Sequence, residues 1–184
     1  YQTTTVSKRA IDTYGTYGNL RVGEKIVVGD LLFPLLLESS NDASEVLAEH
    51  GGRQEFIAQM NKKAKAIGMK QTSFADPSGL SENNTSTVSD LLKMMQYIFS
   101  YKHYILDISR EKFYQLGRHH WNNYNNIANV SSFLGGKNGY TDEAQRTLAA
   151  IFSLPLSEFE NRHIAVIILK SEDRRADTLK ILDF

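Results

Sequence analysis

Leu31-Leu32-Phe33-Pro34-Leu35-Leu36-Leu37-Glu38-Ser39-Ser40-Asn41-Asp42-Ala43-Ser44-Glu45-Val46-Leu47-Ala48 sets four small polar residues between two apolar helical runs. Such a junction has one ordinary explanation. Ser, Asn and Asp cap orphan helix amides, and Asn41 or Asp42 would cap the second helix, which Gly51-Gly52 stops. The first helix starts at Gly29-Asp30, where Asp30 suits the positive end of the dipole, and Pro34 is tolerated only near the opening turn. A second explanation depends on Gly135-Gly136-Lys137-Asn138-Gly139-Tyr140-Thr141, a lysine flanked by glycines far along the chain. A Ser-x-Asn turn and a distant Lys-x-Gly together supply a hydroxyl, a carboxamide and a cation, which serine acyl transfer uses.

The 184 residues suffice for one domain with a real core. Lys plus Arg and Asp plus Glu both number 21, so charge gives no case for a nucleic-acid or anionic-membrane partner. The absence of cysteine excludes disulfides, thiolate catalysis and Cys-based metal sites. No apolar run approaches the length of a membrane span, and no basic region followed by an apolar stretch opens the chain. An export signal, if the protein is exported, would lie outside these residues.

Along the chain, Thr3-Thr4-Thr5-Val6 is β-prone, and Asp12 to Gly29 reads as a loop or short hairpin ending at Val27-Val28. Phe56, Ile57, Met60, Ala64 and Ile67 form a helical stripe closed by Gly68. Thr72 to Asn84, with Asp76-Pro77 and Ser78-Gly79, is a long loop. Thr87-x-x-Asp90 resembles a capping box ahead of Leu91, Leu92, Met94, Met95 and Ile98. Phe113 to Leu116 alternates as a strand does, whereas the asparagine-rich stretch from Trp121 to Asn129 has no assignable element. Thr147 to Phe152 and His163 to Leu169 read as an antiparallel strand pair, and a helix from about Asp173 to Leu182 packs on that sheet. The expected fold class is therefore α/β, an antiparallel sheet with a helical cluster in the middle of the sequence.

Other chemistries have weaker support. His119-His120 point to opposite sides in either helix or strand, a poor start for a metal site. The glycines make no phosphate-binding loop, and the tyrosines lack the interleaved basic residues of a nucleic-acid platform.

Beyond the two motifs, the chain matches one pattern in order and spacing: Leu36-Leu37-Glu38-Ser39-Ser40-Asn41-Asp42-Ala43, Phe56 to Met60-Asn61, Gly68-Met69, Thr72-x-Phe74, Pro77-x-Gly79-Leu80, Ser86-Thr87, and Gly135 to Thr141, ending in the strand pair and the Arg175-x-Asp177 helix. On these residues it resembles the D-alanyl-D-alanine carboxypeptidases, the low-molecular-mass penicillin-binding proteins, with their DD-peptidase/β-lactamase-like fold. The resemblance implies that Ser39 relays a proton, Asn41 holds the substrate amide and Lys137 binds the terminal carboxylate. Asn138, Gly139 and Thr141 would line the substrate, with Asn138 standing where the family usually has Thr or Ser. The family's nucleophile motif, Ser-x-x-Lys, should precede Ser39, and nothing from Tyr1 to Glu38 fits it. Ser7 is followed three residues later by Ala10. The one formal match, Ser109-Arg110-Glu111-Lys112, comes after Ser39, lacks an apolar helical surround and reads as chance.

Residues 1–184 are thus expected to be an incomplete catalytic domain, without the N-terminal strands and nucleophile helix. The implied reaction is removal of the terminal D-Ala from peptidoglycan stem peptides through an acyl-enzyme, with β-lactams as inhibitors and no metal or cofactor. The implied location is extracytoplasmic, periplasmic or at the cell surface. A complementary N-terminal segment or chain is an expected partner, because the sheet would otherwise expose an edge and an apolar face. The alternatives are a β-lactamase-like hydrolase, a non-catalytic binding module, and a plain α/β domain in which Ser39 and Asn41 only cap helices.

Overall fold

In a computed structural model describing residues 2–183, the apolar run Leu31–Leu37 is not one continuous helix. A 3-10 turn over Val28–Leu31 gives way to a π-type turn over Pro34–Glu38, because Pro34 has no N–H to continue the ladder. Ser39 then takes a left-handed conformation, φ 60° and ψ 38°, which redirects the chain into the next helix. The cap of that helix is Ser40, not Asn41 or Asp42. Its extended backbone brings its hydroxyl to the Ala43 N–H at 3.1 Å.

The chain begins with β1 (Thr3–Thr5), which pairs antiparallel with β2 (Lys25–Val27), Thr4 opposite Ile26. Between them lie α1 (Lys8–Ile11) and a loop rich in Gly and Tyr. α2 (Asn41–His50) and α3 (Arg53–Ala66) follow the polar junction, and α4 (Val88–Tyr101) starts at a Thr87 cap, as its sequence predicts. A further helix, α5 (Tyr104–Arg110), has too few turns to show a clear stripe. β3 (Phe113–Leu116) folds back on β4 (His119–Asn122), so the first residues of the asparagine-rich stretch are a strand. In β4 His119 faces the interior and His120 the solvent, as alternation requires.

The main sheet is β5 (Phe133–Thr141), β6 (Gln145–Pro155) and β7 (Asn161–Ser171), antiparallel throughout in the order β5-β6-β7. The sequence reading expects only the last two. Three glycines hide β5 from propensity, yet Gly135 and Gly136 are there because neighbours come close. A Cβ on Gly135 would meet the Leu106 backbone at 2.6 Å, and one on Gly136 would meet the Ala150 Cα at 2.6 Å. α6 (Arg174–Leu182) closes the chain, with Asp173 as its cap.

Three cores hold these elements. Val6, Leu31, Leu37, Val46 and Trp121 join the N-terminal elements to α2 and β4. Ile127, Phe133, Phe152, Val166 and Ile168 fill one face of the main sheet, and Met95 and Leu106 cover the other through Ala149 and Ile151. Both faces of the sheet are thus largely covered, contrary to the expected bare apolar face, whereas β7 is its outer strand. No helix among the described residues is long and apolar enough to cross a membrane.

Candidate active site

The polar junction before α2 and the strand β5 face each other across a cleft of about 670 Å³. Ser39 and Asn41 line the helical side; Lys137, Asn138, Gly139 and Thr141 line the strand side. All six residues singled out from sequence therefore meet in one cavity, although Ser39 and Lys137 are 98 residues apart. They touch directly: the Lys137 ammonium donates to the Ser39 hydroxyl, and also to its neighbour's carbonyl, Asn138 O, at 2.6 Å.

Lys137 has no ion-pair partner among the described residues. Desolvation and then the Arg174 charge lower its pKa from the usual 10.5 to about 8. Near neutral pH it is thus a cation that gives up a proton far more readily than an exposed lysine, held against a hydroxyl. This pair can pass a proton.

Arg174 is a site residue that sequence reasoning missed. It lines the cleft and donates to the Gly139 carbonyl at 3.0 Å and the Thr147 carbonyl at 3.2 Å. A sequence signal for it existed. Arg174 and Arg175 sit in the first turn of α6, where the helix dipole disfavours cations, so their place there needs another reason. Desolvation first, and the neighbouring Arg146, lower the Arg174 pKa, but a guanidinium remains charged at any physiological pH.

Asn41 has a second duty. Its amide nitrogen donates to the Tyr14 carbonyl at 2.9 Å, and its backbone N–H donates to Thr16 O at 2.8 Å, which binds the Gly- and Tyr-rich loop to the junction. The side-chain oxygen is left for a ligand N–H. Beside it Asp42 accepts from the Gly18 N–H at 2.9 Å, the Ala43 N–H at 2.8 Å and the Ser40 hydroxyl.

The cleft's far lip is Pro77-Ser78-Gly79-Leu80. Asp76 shapes it by accepting from the Ser78 N–H at 2.8 Å, the Asn84 amide at 3.1 Å, and the N–H groups of Gly79 and Ser81. These donors outweigh burial, which would raise the Asp76 pKa, and hold it below the ordinary range.

Ser109 stands outside the cleft. It is 2% exposed, gives its hydroxyl proton to Leu106 O at 3.0 Å and accepts from the Gly136 N–H at 2.9 Å. It fastens α5 to the back of β5. The Ser109-x-x-Lys112 match is therefore a structural coincidence, as its surroundings in sequence imply.

The DacF D-alanyl-D-alanine carboxypeptidase of Bacillus subtilis is 32% identical over 194 residues, covering 97% of this chain and 47% of the relative. A D-alanyl-D-alanine endopeptidase of Escherichia coli is 43% identical over 83 residues, covering 44% of this chain and 27% of the relative. The chain thus spans about half or less of these relatives' length. Penicillin binding protein 5 of Haemophilus influenzae superposes with a TM-score of 0.87 at 23% identity, covering 98% of this chain and 55% of that one. The Streptomyces K15 DD-transpeptidase gives a TM-score of 0.86 at 25% identity, covering 98% of this chain and 77% of that one. The fold is that of the DD-peptidases and penicillin-binding proteins. A family model for D-alanyl-D-alanine carboxypeptidase matches residues 1–169, and the chain belongs to that family.

Proposed function

We propose that this chain forms the Ser-x-Asn and Lys-x-Gly walls of a serine-type D-Ala-D-Ala carboxypeptidase site, and that the nucleophilic serine with its lysine comes from residues outside it. The observation that carries the reading is the Lys137–Ser39 contact in a cleft that a second cation, Arg174, also lines. A carboxylate entering the strand side would meet both cations, Lys137 as a point charge and Arg174 as a planar fork. The β5 backbone offers a ladder to an extended peptide, and Gly139 keeps that approach open.

In the reaction, the serine oxygen bonds to the penultimate D-Ala carbonyl carbon, and the amide C–N bond breaks. The serine's proton goes to its own lysine and the leaving nitrogen takes a proton through Ser39, so the two transfers balance and Lys137 keeps its charge for the terminal carboxylate. Water then cleaves the acyl-enzyme. Asn41 uses its free oxygen to accept the peptide N–H and so fixes the strand in register. Asn138, in place of a hydroxyl residue, donates an amide N–H to the carboxylate from a longer side chain.

The substrate is the stem peptide of peptidoglycan and β-lactams are inhibitors, which places the protein outside the cytoplasmic membrane. The relatives' names support this reading: carboxypeptidase, endopeptidase and, for a Listeria monocytogenes structure, a penicillin-binding protein in a cefotaxime-bound form. The complementary segment we propose adds to the open edge of β7.

Covalent labelling with fluorescent penicillin, read by intact mass, tests the proposal on this chain and on the longest product of its native reading frame. Labelling of the longer product alone is expected. Labelling of this chain alone would overturn the outside nucleophile. Failure of both to label would favour a binding module that keeps the cleft without the chemistry, and comparing peptide with β-lactam turnover would separate carboxypeptidase from β-lactamase.

A further inference from the structure

Thr13-Tyr14-Gly15-Thr16-Tyr17-Gly18 is a tandem tripeptide in the loop between α1 and β2. Its Tyr14 is 82% exposed and its Tyr17 51%, so neither ring is there to fill a core. The backbone beneath them is nevertheless firmly held. Asn41 donates to the Tyr14 and Thr16 carbonyls, Asp42 accepts from the Gly18 N–H, and the Trp121 indole donates to Gly18 O. The glycines permit this approach: a Cβ on Gly15 would run into the Asn41 amide nitrogen, and one on Gly18 would meet the Ser40 hydroxyl at 2.6 Å. Fixing a loop costs conformational entropy, and here these bonds offset that cost for a loop whose two largest side chains stay in water.

The surface so held has a definite chemistry. No charged residue lies from Thr13 to Leu20, and Asp12 before it pairs with Lys8 at 2.6 Å. The loop therefore has no charge of its own for a phosphate, a carboxylate or an ammonium, and it lacks the cations of a nucleic-acid platform. It offers two flat apolar faces with hydroxyl rims, beside the Thr16 hydroxyl and the Asn19 amide. Tyrosine rings give large contact area at low entropic cost. An uncharged ring that is apolar on its C–H face and hydroxylated at its edge, a pyranose, matches that set. Thr16 also lines the cleft, so the two rings continue the site already described.

We propose that Tyr14 and Tyr17 form a platform for a neutral saccharide, the sugar from which a peptidoglycan stem peptide hangs. The proposal rests on the D-Ala-D-Ala reading above and extends recognition from the peptide to the glycan. In that polymer an amide joins the peptide to an N-acetylated sugar and neutralises the sugar's acid, so the ring arriving with the peptide is uncharged. Its C–H face stacks on a tyrosine, and its hydroxyls reach Thr16 and Asn19.

The test is calorimetric binding of three ligands to this chain. They are the Nα-acetylated pentapeptide L-Ala-γ-D-Glu-L-Lys-D-Ala-D-Ala, the same pentapeptide on its N-acetylglucosaminyl-N-acetylmuramic acid disaccharide, and the neutral tetrasaccharide of N-acetylglucosamine. The disaccharide-linked peptide should bind about tenfold more tightly than the peptide alone. Tyr14→Ala and Tyr17→Ala should each cut that advantage about threefold. The double alanine variant should remove it and leave affinity for the free peptide and the urea midpoint unchanged, because both rings are exposed. Tyr14→Phe with Tyr17→Phe should keep it, since the ring faces remain. Equal affinity for the two peptides overturns the platform and leaves the carboxypeptidase reading intact, and so does an advantage that survives the double alanine variant. If the free peptide fails to bind while the tetrasaccharide binds through the tyrosines, the platform stands and the D-Ala-D-Ala reading falls. If none of the three binds, both fall.

Discussion

The two walls of the cleft are built on different principles. The strand wall is a regular ladder: Lys137 lies opposite Ala149, Asn138 opposite Leu148 and Gly139 opposite Thr147, so backbone bonds, not side chains, hold its register. The helical wall is irregular. Its shape depends on side chains bonding to backbone, Asp42 to Gly18, Asn41 to Tyr14 and the Trp121 indole to Gly18 O at 2.7 Å. The strand wall can therefore lose a functional side chain and keep its fold, whereas on the helical wall function and stability share residues.

The largest effect that would sharpen this contrast is on stability. Asp42→Ala leaves the buried N–H of Gly18 unsatisfied and removes an acceptor from Ala43 and Ser40, a loss of about 3 kcal/mol. Urea unfolding should show the midpoint falling with the slope unchanged. A loss below about 1 kcal/mol would mean that the helical wall does not depend on this carboxylate.

On the strand wall the result should be reversed. Lys137→Ala should weaken binding of a D-Ala-D-Ala peptide by about 2 kcal/mol, roughly thirtyfold, as expected for charge-assisted bonds. The urea midpoint should hardly move, because the ammonium is desolvated in the fold and its pKa lowered. A variant that unfolds readily would break the comparison.

The same lowered pKa gives a pH dependence. A lysine at about 8 in the folded, unliganded chain is a cation below that value and neutral above it. Affinity for the peptide carboxylate should therefore be level below pH 8 and fall by up to tenfold per unit above it, toward a floor set by Arg174. A carboxylate in place raises the lysine pKa, so the peptide complex loses its proton at higher pH than the free chain. Flat binding to pH 10 would show that Lys137 is not the carboxylate's cation.

The difference between the walls also explains what was legible in the sequence. Ser39, Asn41 and Lys137 were readable because their chemistry is local: polarity inside apolar runs, and a lysine among glycines. The strand carrying Lys137 was not, since Gly135, Gly136 and Gly139 argue against a strand until Leu106 and β6 are seen pressing on them. Ser40 as the cap was equally hidden, because the left-handed turn at Ser39 shifts the helix start by one residue. Glu38, Tyr124 and Arg174 depend on long-range packing. Glu38 and Tyr124 leave no mark in the sequence, and Arg174 only the oddity of a cation in a helix's first turn, until the fold puts them against the cleft.

Asn41 gives the smallest effect and the finest test, because it belongs to both accounts. If its amide only binds the Tyr14 loop, Asn41→Ala costs one hydrogen bond, about 1 kcal/mol by urea unfolding, and peptide affinity changes only as far as the loop moves. If its oxygen also accepts the peptide N–H, affinity falls by about a further fivefold. Asn41→Asp separates the two duties. It keeps an oxygen for the peptide but sets a carboxylate against the Tyr14 carbonyl, so it should lower stability at least as much as alanine while retaining more of the affinity. Equal affinity in the two variants would reduce Asn41 to a clamp on the loop and leave the helical wall with Ser39 as its one working side chain.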